Sequence, residues 1–215
     1  MPGFYAECEA VIATAPDVVM IVGQVVTIDE AGRWLDVIGP PEWAGRRVPE
    51  FLRRQATEQA AQFAGVAVRR AAYERAGGFC TAFDHVADRD MWFRIAQLGP
   101  VWCTSRPYGL YRVHAAADTG RHMVRGTNVL ESWLSTQVNL GRLGNGRATA
   151  QAAAFRRWLA HRAYRNARKL YDRGLVEGSL NQVGWSLRLR PSARALGLWA
   201  RSRLRQALGE RSYSR

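Results

Sequence analysis

Apolar and polar positions fall into short blocks whose period changes along the chain. Residues 4–15 carry apolar side chains at helical spacing up to Pro16, which predicts a short helix. Val18–Ile28 is rich in β-branched residues and predicts one buried strand, followed by turn chemistry in Asp29-Glu30-Ala31-Gly32. Residues 36–49, with Pro40, Pro41 and Pro49, read as a loop, and 49–62 as a helix with proline in its first turn. Ala64–Arg69 reads as a strand, Ala71–Ala76 as a short helix, and Gly77-Gly78 as a turn needing positive φ. Over Asp88–Leu98 the residues Met91, Ile95 and Leu98 share one helical face, with Trp92 and Ala96 beside it, and Gly99-Pro100 ends the helix. Val101–Ser105 and Tyr108–Val113 read as strands.

Beyond His114 the pattern becomes helical, over about 120–142, 148–173, 175–190 and 192–208, with breaks at Gly141–Gly146, Gly174 and Pro191. The expected organisation is an α/β part over 1–116 and a basic helical extension over 117–215.

Hydrophobic residues make up 47% of the 215, enough for a buried core and against global disorder. The net charge is +13, from 31 Lys and Arg against 18 Asp and Glu, and Lys169 is the only lysine. Guanidinium suits phosphate: a nucleotide, an anionic lipid or nucleic acid. Cys8, Cys80 and Cys103 are odd in number and widely spaced, so neither a disulfide framework nor a zinc site follows, and a reducing cytoplasm is the expected setting. The longest apolar run falls short of the roughly 20 residues a membrane span needs. Residues 1–16 have no basic n-region and contain Glu7 and Glu9, which argues against a secretory signal. The reading is a cytoplasmic chain that can sit peripherally on the inner face of the plasma membrane.

Asp88 is the first candidate for chemistry. At a helix start its carboxylate meets orphan N–H groups that keep it ionised, and an ionised carboxylate at a cleft edge can take a proton from a sugar hydroxyl. Asp90 completes the only D-x-D; positions i and i+2 of a helix face different ways, which favours a structural role over shared coordination. His114 closes Tyr111-Arg112-Val113-His114, where imidazole is a metal ligand and Arg112 is placed to meet a diphosphate. Gly77-Gly78 either turns the chain or lets a ligand approach its backbone. No GxxxxGK loop, G-x-S-x-G elbow or i, i+4 histidine pair is present.

In order, Arg69-Arg70, Gly77-Gly78-Phe79, Asp88-x-Asp90-Met91-Trp92-Phe93-Arg94 and Tyr111-Arg112-Val113-His114 resemble the second half of the catalytic domain of family-2, GT-A type glycosyltransferases. The upstream VVMIVGQVVTIDEAGR is similar to that family's strand and Asp-x-x-Gly turn, so the resemblance covers about residues 1–115. Ala87 stands where the family usually has Glu, and Cys80 where it usually has Asp.

The resemblance implies a partial Rossmann-like GT-A sandwich, a truncated mixed sheet with flanking helices, ahead of the basic helical tail. It implies transfer of a sugar from a nucleotide-sugar donor to a glycan or lipid-linked acceptor, with inversion, in cell-envelope polysaccharide synthesis. Asp88 matches the general base, and His114 a position that binds Mn or Mg or the donor diphosphate. Gly77, Gly78 and Phe79 match a turn near the acceptor and sugar, with Asp90 and Arg112 as further binding positions. It also implies that the family's nucleotide-binding strands and metal-binding D-x-D precede the stretch seen here. On that expectation the chain is a truncated or mis-started product, or one half of a split enzyme, with an exposed strand edge.

The tail interleaves Arg156, Arg157, Arg162, Arg165, Arg168, Lys169 and Arg173 with Phe155, Trp158, Leu159 and Tyr164, and spaces Leu196, Ala200, Leu204 and Leu208 as a helical stripe. It reads as a helical hairpin packed on the catalytic part or as a contact with an anionic membrane; no nucleic-acid motif supports a third partner. The rival to a transferase is a non-catalytic basic adaptor at a membrane or nucleic acid, or an inactive fragment.

Overall fold

The computed structural model describes residues 1–57, 59–114, 118–142 and 147–213. The chain divides into two compact units, Met1–Ala115 and Ala116–Arg215. The first is mixed α/β with two small mixed sheets, and the second is helical.

The strands of the first unit are β1 (Met20–Val22), β2 (Val25–Ile28), β3 (Trp34–Ile38), β4 (Arg46–Arg47), β5 (Val66–Val68), β6 (Val101–Cys103) and β7 (Gly109–Arg112). Its helices are α1 (Phe4–Thr14), α2 (Phe51–Thr57), α3 (Arg70–Ala76) and α4 (Ala87–Ile95). One sheet has the order β4-β6-β1-β5, with β1 parallel to β6 and antiparallel to β5. The other has the order β3-β2-β7, with β2 antiparallel to β3 and parallel to β7.

The run Val18–Ile28, expected as one strand, is two strands in different sheets, and the reason is steric. The Gly23 N–H donates to the Gly65 carbonyl at 2.7 Å. A Cβ on Gly23 would stand 2.7 Å from Thr104 Oγ1, and one on Gly65 2.7 Å from the Gly23 oxygen, so the backbones cross where side chains do not fit. The parallel partner changes sheet at the same level. Thr104 N–H to Val22 O and Tyr108 N–H to Gln24 O carry the pairing across the break. Glu7 of α1 pins this crossing by accepting from Ser105 N–H (2.6 Å), Ser105 Oγ (2.9 Å) and Tyr108 OH (2.6 Å).

Other boundaries moved as well. The stretch 36–49, expected as a loop, holds the end of β3, a 3-10 turn at Pro41–Trp43 and β4. Asp29 builds the turn ahead of β3 by accepting from Arg33 N–H and Arg33 Nε, at 2.9 and 2.7 Å, which folds β3 back on β2. The helix expected to reach Gln62 stops at Thr57, and Ala60 N–H donates to the Gln55 side chain at 2.8 Å instead of to a helical carbonyl. Ala64–Arg69 is a 3-10 turn followed by β5. Gly77 and Gly78 both take φ +78°, as the double glycine predicts.

The first sheet is covered on both faces, as alternation along a strand requires. Met20, Val22, Val101 and Cys103 pack with Trp43, Phe51, Met91, Trp92 and Ile95. On the other side Ile21 packs with Cys8 and Val11 of α1.

The second unit contains α5 (Asp118–Arg125), α6 (Thr127–Arg142), α7 (Arg147–Asp172), α8 (Val176–Leu189) and α9 (Ala193–Tyr213). The single helix expected over 120–142 is broken at Gly126, φ +77°. Of the break expected at Gly141–Gly146, positions 143–146 lie outside the described residues. Val129, Phe155, Leu159 and Leu189 form one buried cluster, and Ala167, Val183, Ala195 and Leu198 another. Among the described residues no helix is long and apolar enough to cross a membrane.

Candidate functional site

Helix α4 carries Asp88 and Asp90, two of the residues singled out by sequence. It begins one residue before Asp88; Val86 is its N-cap and makes no side-chain capping bond. Two arginines fix the helix. Arg89 is buried, and its Nη2 donates to the carbonyls of Gln55 (3.1 Å) and Ala56 (3.5 Å) near the end of α2. Gln55, also buried, returns a bond from Nε2 to the Arg89 carbonyl at 3.1 Å. Arg94 faces the double-glycine turn, donating to the Ala76 carbonyl and, at 2.8 Å, to that of Gly78.

Asp90 belongs to this second grip. Its side chain accepts from Arg94 Nε at 2.8 Å, one helical turn away, and the residue is 2% exposed. A buried carboxylate with an arginine on it neutralises the guanidinium that holds the turn. Asp88 and Asp90 therefore serve different neighbours, as i and i+2 positions do.

The Asp88 side chain is partly buried. Oδ1 accepts from Arg89 N–H at 2.6 Å and Oδ2 faces Gln59 Nε2 at 3.4 Å. Burial lifts its carboxyl above the ordinary aspartate value, and the Arg89 N–H and guanidinium offset only part of that. The sequence reading had helix-end N–H groups keeping this group ionised; here desolvation outweighs them. Gln59 links Asp88 to a cleft of about 320 Å³ lined also by Ile38, Gly39, Pro40, Glu42 and Arg54. A second cleft of similar volume, between Val48–Leu52 and Ala96–Val101, lies by the opposite end of α4; it is more apolar and Arg47 is the ionisable group on its wall.

One turn beyond Asp88, Trp92 is buried beneath an aromatic cluster. Phe63 and Phe79 lie with ring centroids 5.8 and 6.0 Å from it, and Tyr73 is 6.0 Å from Phe79. Phe63 is 58% and Phe79 42% exposed, so both present ring surface to solvent. Gln55, Gln59 and Phe63 escaped the sequence reading. The signal for Gln59 and Phe63 is the segment after α2, where glutamines meet an aromatic ahead of Ala64-Gly65; Gln55, inside α2, carries none.

Arg112 and His114 lie elsewhere in the first unit. Arg112 is exposed, and its Nη1 donates to the Asp29 and Glu30 carbonyls at 3.0 and 2.9 Å. His114 is exposed just past β7, where Val113 N–H pairs with Ile28 O. The cleft lined by Gln59 includes Ile38, paired with Val25 at the other end of β2, and Val25 pairs with Gly109 of β7. Five residues of extended chain from Gly109 to His114 span roughly 16 Å. The structure joins Asp88, Gly77, Gly78, Phe79 and Asp90 around α4, and gives no hydrogen bond or ion pair from these to His114 or Arg112.

Mn or Mg calls for converging oxygen or imidazole ligands. Among the described residues no group of three or more His, Cys, Asp or Glu has the spacing to hold a metal ion. The residues around Asp88 thus do not form a metal centre by themselves. The chain matches no model of a known protein family, and no curated protein matches it.

Proposed function

We propose that the first unit is the acceptor-side part of an inverting glycosyltransferase with a partial GT-A, Rossmann-like sandwich, acting on a nucleotide-sugar donor and a glycan or lipid-linked acceptor. The observation that carries this reading is the partly buried Asp88 carboxylate, held at the head of α4 and linked through Gln59 to an open cleft. The order of the motifs in the sequence supports it.

In this reading the acceptor hydroxyl approaches Asp88 Oδ2. As the oxygen attacks the anomeric carbon its proton passes to the carboxylate, and the bond to the departing nucleoside diphosphate breaks on the opposite side. A carboxyl lifted above its ordinary value is a stronger base for that transfer than a solvated one. The exposed rings of Phe63 and Phe79 offer an apolar floor for the C–H face of a sugar. Gly77 and Gly78 shape that floor through the turn that Arg94 holds, and Asp90 acts through Arg94. Arg112 and His114 are assigned to the diphosphate side, and no step is routed through a metal.

The test is sugar transfer to lipid-linked or glycan acceptors in membranes containing the protein, comparing the parent with Asp88→Asn at equal folded amounts. The expected loss is about 100-fold or more in turnover, the usual contribution of a positioned base. Undiminished transfer by Asp88→Asn would remove Asp88 from the mechanism.

A further inference from the structure

The helical unit carries the net positive charge of the chain. Residues 116–215 have 19 Lys and Arg against 5 Asp and Glu, whereas residues 1–115 have 12 against 13. Three of those arginines converge. Arg157, Arg190 and Arg194, with His161, Tyr164 and Ser192, line a cleft of about 340 Å³ that has no acidic side chain on its walls. Ser192 also caps the start of α9, accepting from Ala195 N–H at 3.2 Å.

Helices α6 and α9 also leave much of their apolar surface outside. The buried face of α6 is mostly polar, with Asn128, Ser132, Ser135, Thr136 and Asn139, while Leu130, Leu134 and Val138, spaced four apart, are exposed. Helix α9 buries small residues against its neighbours: Ala195, Ser202 and, beside them, Leu198. Ser202 Oγ meets Ser179 Oγ of α8 at 3.1 Å, and Gln182 Nε2 meets Asn128 Oδ1 at 2.6 Å. Leu196, Leu204 and Leu208 of α9 face solvent, Leu204 being 62% exposed. Trp199 is exposed beside them, with the Arg203 guanidinium over its ring, 5.5 Å from the centroid. The leucines that α6 and α9 leave outside suit an apolar neighbour rather than water.

We propose that the helical unit docks on an anionic phospholipid surface. The Arg157–Arg190–Arg194 cleft seats a lipid phosphate, and the outward leucines of α6 and α9 enter the boundary between headgroups and acyl chains. Charge decides among possible occupants: a second copy of so basic a unit would be repelled, whereas an anionic bilayer supplies both the phosphates and the apolar layer. The docking stands apart from the transferase reading and uses none of its residues.

The experiment is co-sedimentation of the full chain with vesicles of phosphatidylcholine alone or with about 30% phosphatidylglycerol. Binding to the anionic vesicles is expected to be tighter by roughly tenfold or more, and to weaken by a similar factor in Arg157→Gln with Arg194→Gln and in Leu134→Glu with Leu204→Glu. Asp88→Asn is expected to bind as the parent does, which separates this proposal from the catalytic one. Circular dichroism checks that the variants fold; if the glutamate pair melts early, Leu204→Ser with Leu208→Ser replaces it. Equal binding to both vesicle types, or full retention by the leucine variants, overturns the proposal. So does a parent that ignores vesicles and forms a dimer, or that binds duplex DNA in place of anionic lipid.

Discussion

The carboxyl of Asp88 is raised by burial, and the Arg89 N–H and charge return only part of what water supplied. A carboxyl whose folded value lies above its unfolded one stabilises the fold at pH below about 3.8, and that contribution is lost as pH rises through the folded value. Asp88→Asn removes the buried charge and keeps the shape. The variant is expected to match the parent near pH 3 and to be more stable by about 1 kcal/mol at pH 7, because it removes a charge that burial disfavours. Urea unfolding across that range measures it; a variant less stable at pH 7 would show that the carboxylate is a structural asset.

At the scale of elements, the sheet crossing depends on glycines that the sequence presents without explanation. A Cβ on Gly109 would lie 2.7 Å from the Ala64 carbonyl oxygen and 2.8 Å from Val25 Cγ2, whereas one on Gly77 would meet nothing within 4 Å. Gly109→Ala is therefore expected to destabilise by about 2–3 kcal/mol through forced backbone movement. Gly77→Ala is expected to cost about 1 kcal/mol, from the left-handed backbone alone. Chemical denaturation of the two variants checks the order. The same contrast explains what could be read from sequence. The turn at Gly77-Gly78, helices α1, α3, α4 and α7–α9, and strands β6 and β7 follow from local periodicity and punctuation. The split of Val18–Ile28 does not, because it is imposed by Gly65 and Thr104, distant in sequence. Strand β3 was hidden because its five residues are exposed and end at a proline pair, so no buried alternation marks it. At the site, Asp88 and the Gly77–Phe79 turn were legible as motifs. The partnership of Arg89 with Gln55, and the exposure of Phe63 beside Phe79, arise only when α2, the 3-10 turn and α4 meet.

The whole molecule has two units, each with its own buried clusters. Met91 and Phe155 are fully buried in different units. Met91→Ala is expected to lower the stability of the first unit by about 2–5 kcal/mol, and Phe155→Ala that of the second by about 3–5 kcal/mol. Hydrogen exchange resolved by peptide checks this: each change should speed exchange in its own unit alone. Acceleration throughout the chain by either variant would mean a single cooperative structure.

Arg89 grips the tail of α2 and Arg94 grips the double-glycine turn, five residues and about 7.5 Å further along the axis and about 140° around it. Anchors so separated block both sliding and rolling of the helix. The Asp88 oxygens keep only the rotation of their own side-chain bonds, so under the proposed transferase reading the direction from which a hydroxyl would deliver its proton is set before any ligand arrives.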